Sequence, residues 1–568
     1  MEESESDEIL MQHQNREELQ NASNLDAHPS NKSGKLTRLL PGFAVFLLAL
    51  VYFLPKITVG LESLYDEGIH VYGAERVLVG DRPYHDFYCI YGPGAFYWLA
   101  ALFKVFGVQL IVSRLNDAVI CALTGSLIFI ICRKLGLAKP WSLISTLVYL
   151  AALEGSHLKM VSPALMLILA AGLRLTEDLS RNRRPWLTGM LLGLAAVFRH
   201  DFGVFGFVAS LAVILCPREN SQGKQEKFRS SVSLLTGFVL IAGAVYGALL
   251  SAGFYAVFEN LVIFPSKSLP YRVLPYPIDL VNTQIQALAS LLIGKNVLMN
   301  YGIALFMISQ LLVFIGPILV VFLLMPLVKR NLRRELFQYS ERQTLFLFLL
   351  SLAVLFLPYS FGRCDFLHMF PFFVISLPIS LMLIHFYLSR FKKVCSILRP
   401  ITLLFLSFFI LDLAGVFFIN VMNFQKGVPI NLNRTQGIIS IKGKESEGLV
   451  ELIHELETDK RPSPIFVGSP QHDKVFINAV MVYFLSGRRS GTLYHHFDPG
   501  VTNTRIIQQK IINDLETNQV DTVVLWDQEF INEPNQSRES SDVTLLDEYI
   551  DQNFIHTKKI GEFKLKRR

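Results

Sequence analysis

The sequence is short of charge and of cysteine, and each shortage excludes a class of protein. Charged residues make up 18% of its 568 residues, against 51% hydrophobic residues and a mean hydropathy of +0.40. This apolar balance excludes an ordinary soluble protein. The six cysteines are scattered without CxxC or metal-ligand spacing, so the pattern favours neither a disulfide framework nor a cysteine-based metal site. A Gly-rich dinucleotide fingerprint and an internal repeat are also lacking, and the net charge of +6 is too modest to indicate nucleic-acid binding.

Apolar runs of membrane length dominate what is present. They predict a polytopic α-helical membrane protein of about eleven spans, since roughly 20 residues cross a bilayer. Residues 1–37 are polar and lack the apolar core of a cleaved signal, so we expect a disordered cytoplasmic tail. The predicted spans are 39–57, 112–132, 141–155, 159–175, 186–198, 202–216, 230–251, 301–327, 344–361, 368–388 and 400–420.

The basic residues predict the orientation of these spans. They gather in alternate connections, as expected if the N-terminus and those connections are cytoplasmic. The groups are Lys35/Arg38, Arg133/Lys134/Lys139, Arg181/Arg183/Arg184, Lys224/Lys227/Arg229, Lys329/Arg330/Arg333/Arg334 and Arg390/Lys392/Lys393/Arg399. The remaining connections then lie together on the outer side. They carry Asp66/Glu67, Glu154/His157/Lys159, Arg199–Asp201, the segment 252–300 and Arg363–His368.

Residues 421–568 differ in character from the membrane part, 38–420. Short β-branched runs at 464–468 and 521–526 predict strands, and the amphipathic stretch 501–518 predicts a helix between them. We therefore expect a small C-terminal α/β domain, which lies outside the cytoplasm if the number of spans is odd.

The most informative motif is the acidic pair Asp66-Glu67, directly after the first span. Carboxylates at the mouth of a membrane helix are costly to hold, and they can deprotonate an acceptor or hold a divalent cation against phosphate. A solvated acidic pair at a helix end is the alternative, and composition alone does not decide between them.

The pattern around this pair resembles a known superfamily. It runs from Asp66-Glu67-Gly68 through Gly80 and Pro83-Tyr84 to Asp86-Phe87, followed by Tyr91-Gly92-Pro93 and by Ser113-Arg114-Leu115 at the next span. It resembles the first outer loop of GT-C membrane glycosyltransferases, such as aminoarabinose transferases, protein O-mannosyltransferases and lipopolysaccharide-core galacturonosyltransferase-like proteins. The pattern departs at Tyr91-Gly92-Pro93-Gly94, where many relatives have Lys-Pro-Pro, so the resemblance does not name the donor.

The resemblance implies roles for residues of the first outer loop, 58–111. Asp66 is the expected catalytic carboxylate, with Glu67 beside it. Residues 68–79 and 93–106 are expected to form interfacial helices. Tyr84 and Asp86 are predicted to contact donor or substrate.

Two further polar clusters are predicted to bind the donor phosphate or substrate. Arg199, His200 and Asp201 end an apolar helix, and Arg363, Asp365 and His368 occupy a late outer loop. Arginine suits a phosphate because its fork binds two oxygens, and histidine could move a proton. Simple ion pairs at helix ends, Arg199 with Asp201 and Arg363 with Asp365, are the alternative.

Weaker candidates for functional residues lie elsewhere in the sequence. The dense prolines of 252–300 predict an ordered outer loop rather than continuous helix, with aromatics beside Arg272 at a sugar or lipid entrance or serving as interfacial anchors. Glu154 and His157 are expected in helix-end roles. A Cys89–Cys364 bridge and a metal at His472-Asp473 or His495-His496 are minor hypotheses.

The functional prediction is a membrane glycosyltransferase that uses a polyprenyl-phosphate sugar and an extracytoplasmic glycolipid, polysaccharide or protein acceptor. By resemblance, its location is the bacterial plasma membrane. No cofactor is required by the sequence, although Mg²⁺ or Mn²⁺ at the acidic pair is an open alternative. A transporter or lipid flippase is the rival, but it would place charges within spans and on both faces. A membrane scaffold for the outer domain is a third alternative.

Overall fold

A computed structural model describes residues 32–61, 63–153, 162–216, 223–293, 301–328, 340–390, 392–440, 445–459, 463–474, 477–527 and 533–568. The chain divides into two compact units, residues 1–45 and 46–568. In the first unit the described structure is helical from Lys32, so residues 32–37 belong to a helix rather than to the predicted disordered tail. Residues 1–31 of that tail lie outside the described residues.

Helices make up most of the described chain up to Lys426. They are α1 Lys32–Phe53, α2 Asp66–Leu78, α3 Gly94–Phe106, α4 Leu110–Lys134, α5 Lys139–Ala152, α6 Ser162–Ser180, α7 Trp186–Phe198, α8 His200–Leu215, α9 Lys224–Phe258, α10 Phe264–Arg272, α11 Ile278–Ile293, α12 Tyr301–Leu324, α13 Ser340–Gly362, α14 Phe366–Leu388 and α15 Lys392–Lys426. Each of the eleven predicted spans overlaps one of these helices, so the predicted helical architecture is confirmed.

Six described helical segments are long and apolar enough to cross a membrane, which makes the chain an integral membrane protein. They are Leu40–Thr58, Leu110–Lys134, Lys224–Ser251, Gln310–Leu327, Glu341–Gly362 and Phe366–Leu388. The apolar helices α7 and α8 are shorter. The predicted total of eleven spans stays a prediction.

Small residues let α7 and α9 pack backbone to backbone. A Cβ added at Gly189 would collide with the carbonyl of Leu234, and one at Gly193 would collide with that of Phe238. Close approach of this kind gives membrane helices their contact area, because lipid is as apolar as the side chains. It fixes the C-terminal end of α7, where Arg199 follows.

The first outer loop has the two helices that the sequence predicts, α2 and α3. Val105 and Phe106 at the end of α3 are 73% and 67% exposed, as suits a helix at an interface with lipid.

The segment 252–300 differs from its prediction. The helix α9 is kinked at Gly253 (φ 168°, ψ 88°) and resumes to Phe258. A π-helical turn then spans Glu259–Ile263, and α10 runs through Pro270. Pro265 stands in the first turn of α10, where a missing N–H costs nothing. The chain leaves helix at 273–277 and re-enters it in α11, so the described part of this segment is mainly helical rather than a loop.

The C-terminal part contains both strands and helices, while a separate domain outside the cytoplasm stays a prediction. Strands β1 Val428–Pro429 and β2 Ile439–Ser440 pair with each other, and a four-stranded sheet has the order β3–β4–β6–β5. Its strands are β3 Ile465–Gly468, β4 Thr522–Trp526, β5 His556–Ile560 and β6 Phe563–Arg567, and its helices are α16 Glu445–Thr458, α17 Met481–Ser486, α18 Arg505–Thr517 and α19 Leu545–Asn553. The pair β3–β4 is parallel and the others are antiparallel.

This α/β part packs against the first outer loop. The Tyr72 ring stacks on Tyr483 at 4.9 Å, and the Met481 N–H donates to the carbonyl of Leu64 at 2.8 Å. A Cβ at Gly68 would collide with the backbone of Met481. The C-terminal part therefore rests directly on the helix that begins with Asp66.

Cys89 and Cys364 are both buried free thiols. The hypothesis of a bridge between them is therefore wrong. The Cys89 Sγ instead accepts a hydrogen bond from the Tyr91 N–H at 3.3 Å, within its own turn.

Candidate active site

The acidic pair begins α2, and its two carboxylates have opposite environments. Glu67 is fully buried and accepts two hydrogen bonds of 2.8 Å from Nε and Nη2 of Arg114. The remaining Arg114 nitrogen donates to the carbonyls of Ile57 and Val59. Asp66 is exposed at the first turn of the helix. Of the two predicted catalytic residues, Asp66 is therefore the one that a substrate can reach, while Glu67 holds Arg114.

Four charged groups from distant parts of the chain converge electrostatically on Tyr91. Loss of water around the phenol raises the pKa of Tyr91, and the negative charge of Asp498 raises it further. Arg272, Asp66 and Arg199 also act on this hydroxyl, the arginines lowering its pKa and Asp66 raising it. Tyr91 therefore lies within electrostatic range of Asp66, Arg199, Arg272 and Asp498.

The backbone beside Tyr91 lies against the end of α7. A Cβ at Gly92 would collide with the carbonyl oxygens of Val197 and Phe198, so glycine is required for this approach. The Tyr84 hydroxyl donates to the Tyr91 carbonyl at 2.7 Å. The departure from the Lys-Pro-Pro pattern thus falls where the first outer loop contacts the residue preceding Arg199.

Arg199 joins the two clusters that the sequence predicts separately. It holds Asp201 through hydrogen bonds of 3.1–3.3 Å, and its guanidinium lies 5.1 Å from the centre of the Tyr359 ring. The same ring contacts His368 at 5.3 Å between centroids. His200 follows Arg199, and its buried Nδ1 has no hydrogen-bond partner among the described residues.

Asp365 organises the late cluster. It caps α14 by accepting from the His368 N–H at 2.9 Å, and it lies 2.7 Å from His368 Nδ1. Burial alone would raise the pKa of Asp365, but the hydrogen bond from His368 and the charges of His368 and Arg363 outweigh it and lower the pKa to about 2.

Arg363 extends this cluster toward the C-terminal part. Its Nη1 and Nη2 donate to the two carboxylate oxygens of Glu533 at 3.0 and 2.6 Å, and its Nε donates to Asp365. Nη1 also donates to the backbone carbonyl of Arg272 at 3.1 Å. The late loop is therefore tied to α10.

Arg272, at the end of α10, is the third arginine of the site. Its Nη2 pairs with Asp498, whose other oxygen accepts from the Tyr88 hydroxyl at 2.7 Å. We call Arg199, Arg272 and Arg363 the arginine cluster. All three are partly exposed, and each already contacts at least one carboxylate.

No protein-family model matches the chain, and no curated protein matches it. Among solved structures, ArnT from Cupriavidus metallidurans, bound to undecaprenyl phosphate, has a similar chain path. The match covers 94% of this chain and 98% of that one, with 11% sequence identity and a TM-score of 0.49. At this identity and TM-score the likeness does not decide the activity.

The structure brings most of the predicted site residues together and leaves others apart. Arg199, His200, Asp201 and Arg363, Asp365, His368 are linked through Tyr359. Tyr84 is buried and supports the Tyr91 backbone, so it shapes the loop. Asp86 pairs with Arg82 and His85 of its own turn. Glu154, His157 and Lys159 lie outside the described residues.

The described residues contain no group of three His, Cys, Asp or Glu side chains placed to hold a metal ion. His472 instead pairs with Asp547 at 2.7 Å, and His496 contacts His495 at 3.3 Å. Neither His472-Asp473 nor His495-His496, the two hypothesised metal sites, therefore belongs to such a group among the described residues.

Three residues of the candidate site were not predicted from the sequence: Tyr359, Asp498 and Glu533. Tyr359 sits within an apolar run, where one more aromatic residue carries no signal. The two acids are separated from their arginines by 226 and 170 positions, and neither stands in a recognisable motif.

Proposed function

We propose that this protein is a membrane glycosyltransferase acting on the extracytoplasmic side. It takes a sugar from a polyprenyl-phosphate donor and passes it to a hydroxyl or amine of a glycolipid, polysaccharide or protein acceptor. A bacterial plasma membrane is the proposed location.

The observation that carries the proposal is that the exposed Asp66 and the partly exposed Arg199 and Arg272 all lie within electrostatic range of Tyr91. The residue after Tyr91, Gly92, also contacts the backbone directly before Arg199. An exposed carboxylate beside partly exposed arginines provides both a base and a site for an anionic leaving group.

Asp66 supplies the base. A carboxylate oxygen of Asp66 accepts the proton of the acceptor group as the acceptor attacks the anomeric carbon of the sugar. The new bond forms as the bond from that carbon to the phosphate oxygen breaks, and the electron pair leaves with the polyprenyl phosphate. The phosphate therefore gains negative charge as the reaction proceeds.

The arginine cluster binds this phosphate, which is already anionic in the donor, and continues to bind it as its charge grows. Guanidinium groups bind phosphate oxygens through charge-assisted hydrogen bonds and remain charged at any physiological pH. The exposed fractions of the three side chains are 22%, 31% and 19%, so each arginine is partly accessible beside its carboxylate.

The proposal is tested by transfer of radiolabelled hexoses and pentoses from polyprenyl-phosphate donors in membranes that contain the protein. Wild type is compared with Asp66→Asn and with the control Asp279→Asn. Asp279 is a matched carboxylate, exposed in the first turn of another helix, α11. We expect transfer by the wild type and the control, and its loss in Asp66→Asn.

Two other results would count against the proposal. Full transfer by Asp66→Asn would remove Asp66 from catalysis, although the reaction class would stand. Absence of transfer from every donor of the panel by stably inserted wild type would overturn the glycosyltransferase proposal itself.

A further inference from the structure

One loop of the C-terminal part reaches the end of α10 through Asp498. The side chain of Asp498 is 1% exposed, whereas that of its partner Arg272 is 31% exposed. Burial would raise the pKa of Asp498, but the positive charge of Arg272 outweighs it and holds the pKa well below its usual range. The buried acid is therefore charged, and the arginine that it holds still faces solvent.

Asp498 is itself fixed in place. Its N–H donates to the Thr502 hydroxyl at 3.1 Å, and its carbonyl accepts from the same residue. Its second carboxylate oxygen accepts from Tyr88 and lies 3.5 Å from Nε2 of His496. A carboxylate held on these sides has little freedom to follow a moving partner.

The loop also approaches α10 closely. Gly500 has φ +71°, and a Cβ there would lie 2.7 Å from the Tyr271 ring and 2.8 Å from the Lys267 carbonyl. The loop and the helix that ends in Arg272 therefore fit without space for a side chain. This contact sets the distance between the Asp498 carboxylate and the Arg272 guanidinium.

We propose that Asp498 is a positioning residue, which holds the Arg272 guanidinium at the place where the donor phosphate binds. The inference rests on the proposed function, since it names the phosphate as the ligand of Arg272. It assigns the C-terminal part a role in donor binding. Asp498 acts through Arg272 and does not itself touch the donor.

The alternative is that Asp498 merely attaches the C-terminal part to the membrane part. Other contacts already do this. Arg434 pairs with Glu75 at 2.7 Å, and the Tyr72–Tyr483 stack and the Met481–Leu64 hydrogen bond lie on the same interface. Removing the charge of Asp498 should thus leave the two parts joined.

The experiment measures donor KM and kcat for Asp498→Asn, Arg272→Gln and the double variant, with a polyprenyl-phosphate sugar that the wild type uses. Arg489→Gln is the matched control, because Arg489 forms another ion pair between the two parts, with Asp81, at 2.5 Å. We expect Asp498→Asn to raise donor KM about tenfold with kcat within about twofold, and the control to leave both unchanged.

The double variant separates positioning from attachment. If Asp498 acts through Arg272, the double variant has the donor KM of Arg272→Gln alone, because the two changes remove one interaction. Unchanged KM in Asp498→Asn, or a further tenfold rise in the double variant, would overturn the inference while leaving the proposed function intact. Inactive wild type would instead overturn the proposed function, and the inference with it.

Tyr88→Phe keeps the inference testable if Asp498→Asn does not accumulate. It removes the 2.7 Å hydrogen bond to Asp498 and keeps the charge. We expect a donor KM about threefold above that of the wild type, with unchanged kcat. A wild-type KM in this variant would count against a fixed Asp498.

Discussion

Two regions of the molecule use the same pair of chemical groups, carboxylate and guanidinium, in opposite ways. At the start of α2 the side chains of Glu67 and Arg114 are 1% and 7% exposed, and their two hydrogen bonds are parallel. In the arginine cluster the arginine side chains are 22%, 31% and 19% exposed. Water therefore reaches the cluster and not the pair.

The difference separates a structural role from a ligand-binding one. A buried ion pair cannot release one partner without leaving an uncompensated charge away from water. Arg199 and Arg363 can exchange a carboxylate for a phosphate, because their partner acids are about a quarter exposed and solvent compensates the released charge. Arg272 instead binds a phosphate beside Asp498, because that acid is buried and stays paired. Exposure therefore decides which charges serve the fold and which are available to a ligand.

The sharpest test of this comparison is the adjacent pair Asp66 and Glu67. Asp66→Asn should lower transfer by roughly 100-fold or more, since general-base catalysis contributes this much. It should leave thermal unfolding in detergent unchanged, because Asp66 is exposed. Kinetics and unfolding curves of the same preparation check both expectations.

Glu67→Gln should lower the stability of the fold, which Asp66→Asn leaves unchanged. It leaves Arg114 buried without its countercharge, at a cost of about 3–5 kcal/mol in the free energy of unfolding. Unfolding by denaturant or heat in detergent measures it. A Glu67→Gln protein as stable as the wild type would break the distinction between the two regions.

Asp365 gives an intermediate case with a defined pH dependence. Its pKa is lowered from 3.8 to about 2, so the charged form stabilises the folded state above about pH 4, and this stabilisation is lost as pH falls toward 2. The contribution at neutral pH is about 2 kcal/mol. Asparagine still caps a helix, so the difference in Tm between wild type and Asp365→Asn should shrink between pH 5 and about 3. A constant difference would contradict the assignment.

The smallest expected effect is on donor KM, when the planar guanidinium of Arg272 is replaced by an ammonium group. Arg272→Lys keeps the charge but loses the planar fork, so donor KM should rise about tenfold, equivalent to about 1.4 kcal/mol. Lys267→Arg changes an outer cation of α10 whose side chain has no assigned role, and it should leave KM unchanged. Equal KM values for wild type and Arg272→Lys would show that charge alone suffices.

Local pattern predicted the elements well, because each depends on nearby residues. The helix at 186–198 and the strand at 465–468 are examples. Prolines misled the prediction at 264–272, because Pro265 occupies a helix start and Pro270 is accommodated within the short helix. Local pattern does not specify the environment of a charge. It therefore did not show that Glu67 is buried and Asp66 is exposed.

The site could be predicted from the sequence only in its membrane half. Arginines at the ends of apolar helices stand out in the sequence, because a charge is costly to hold in the membrane. Asp498 and Glu533 lie in a polar region, where an acidic residue gives no signal in the sequence. Each was identified only by its tertiary contact with an arginine, Arg272 or Arg363. The prediction of the site was limited by the long sequence separation between each acid and its arginine, not by the types of residue involved.

Gly92 has a mechanical consequence. Because its backbone touches the carbonyls of Val197 and Phe198, the turn that carries Tyr91 and the helix end that carries Arg199 cannot slide past one another. They form one wall of the candidate site. Any widening of the site must then come from another wall, such as the one that α10 and the loop of Asp498 build together.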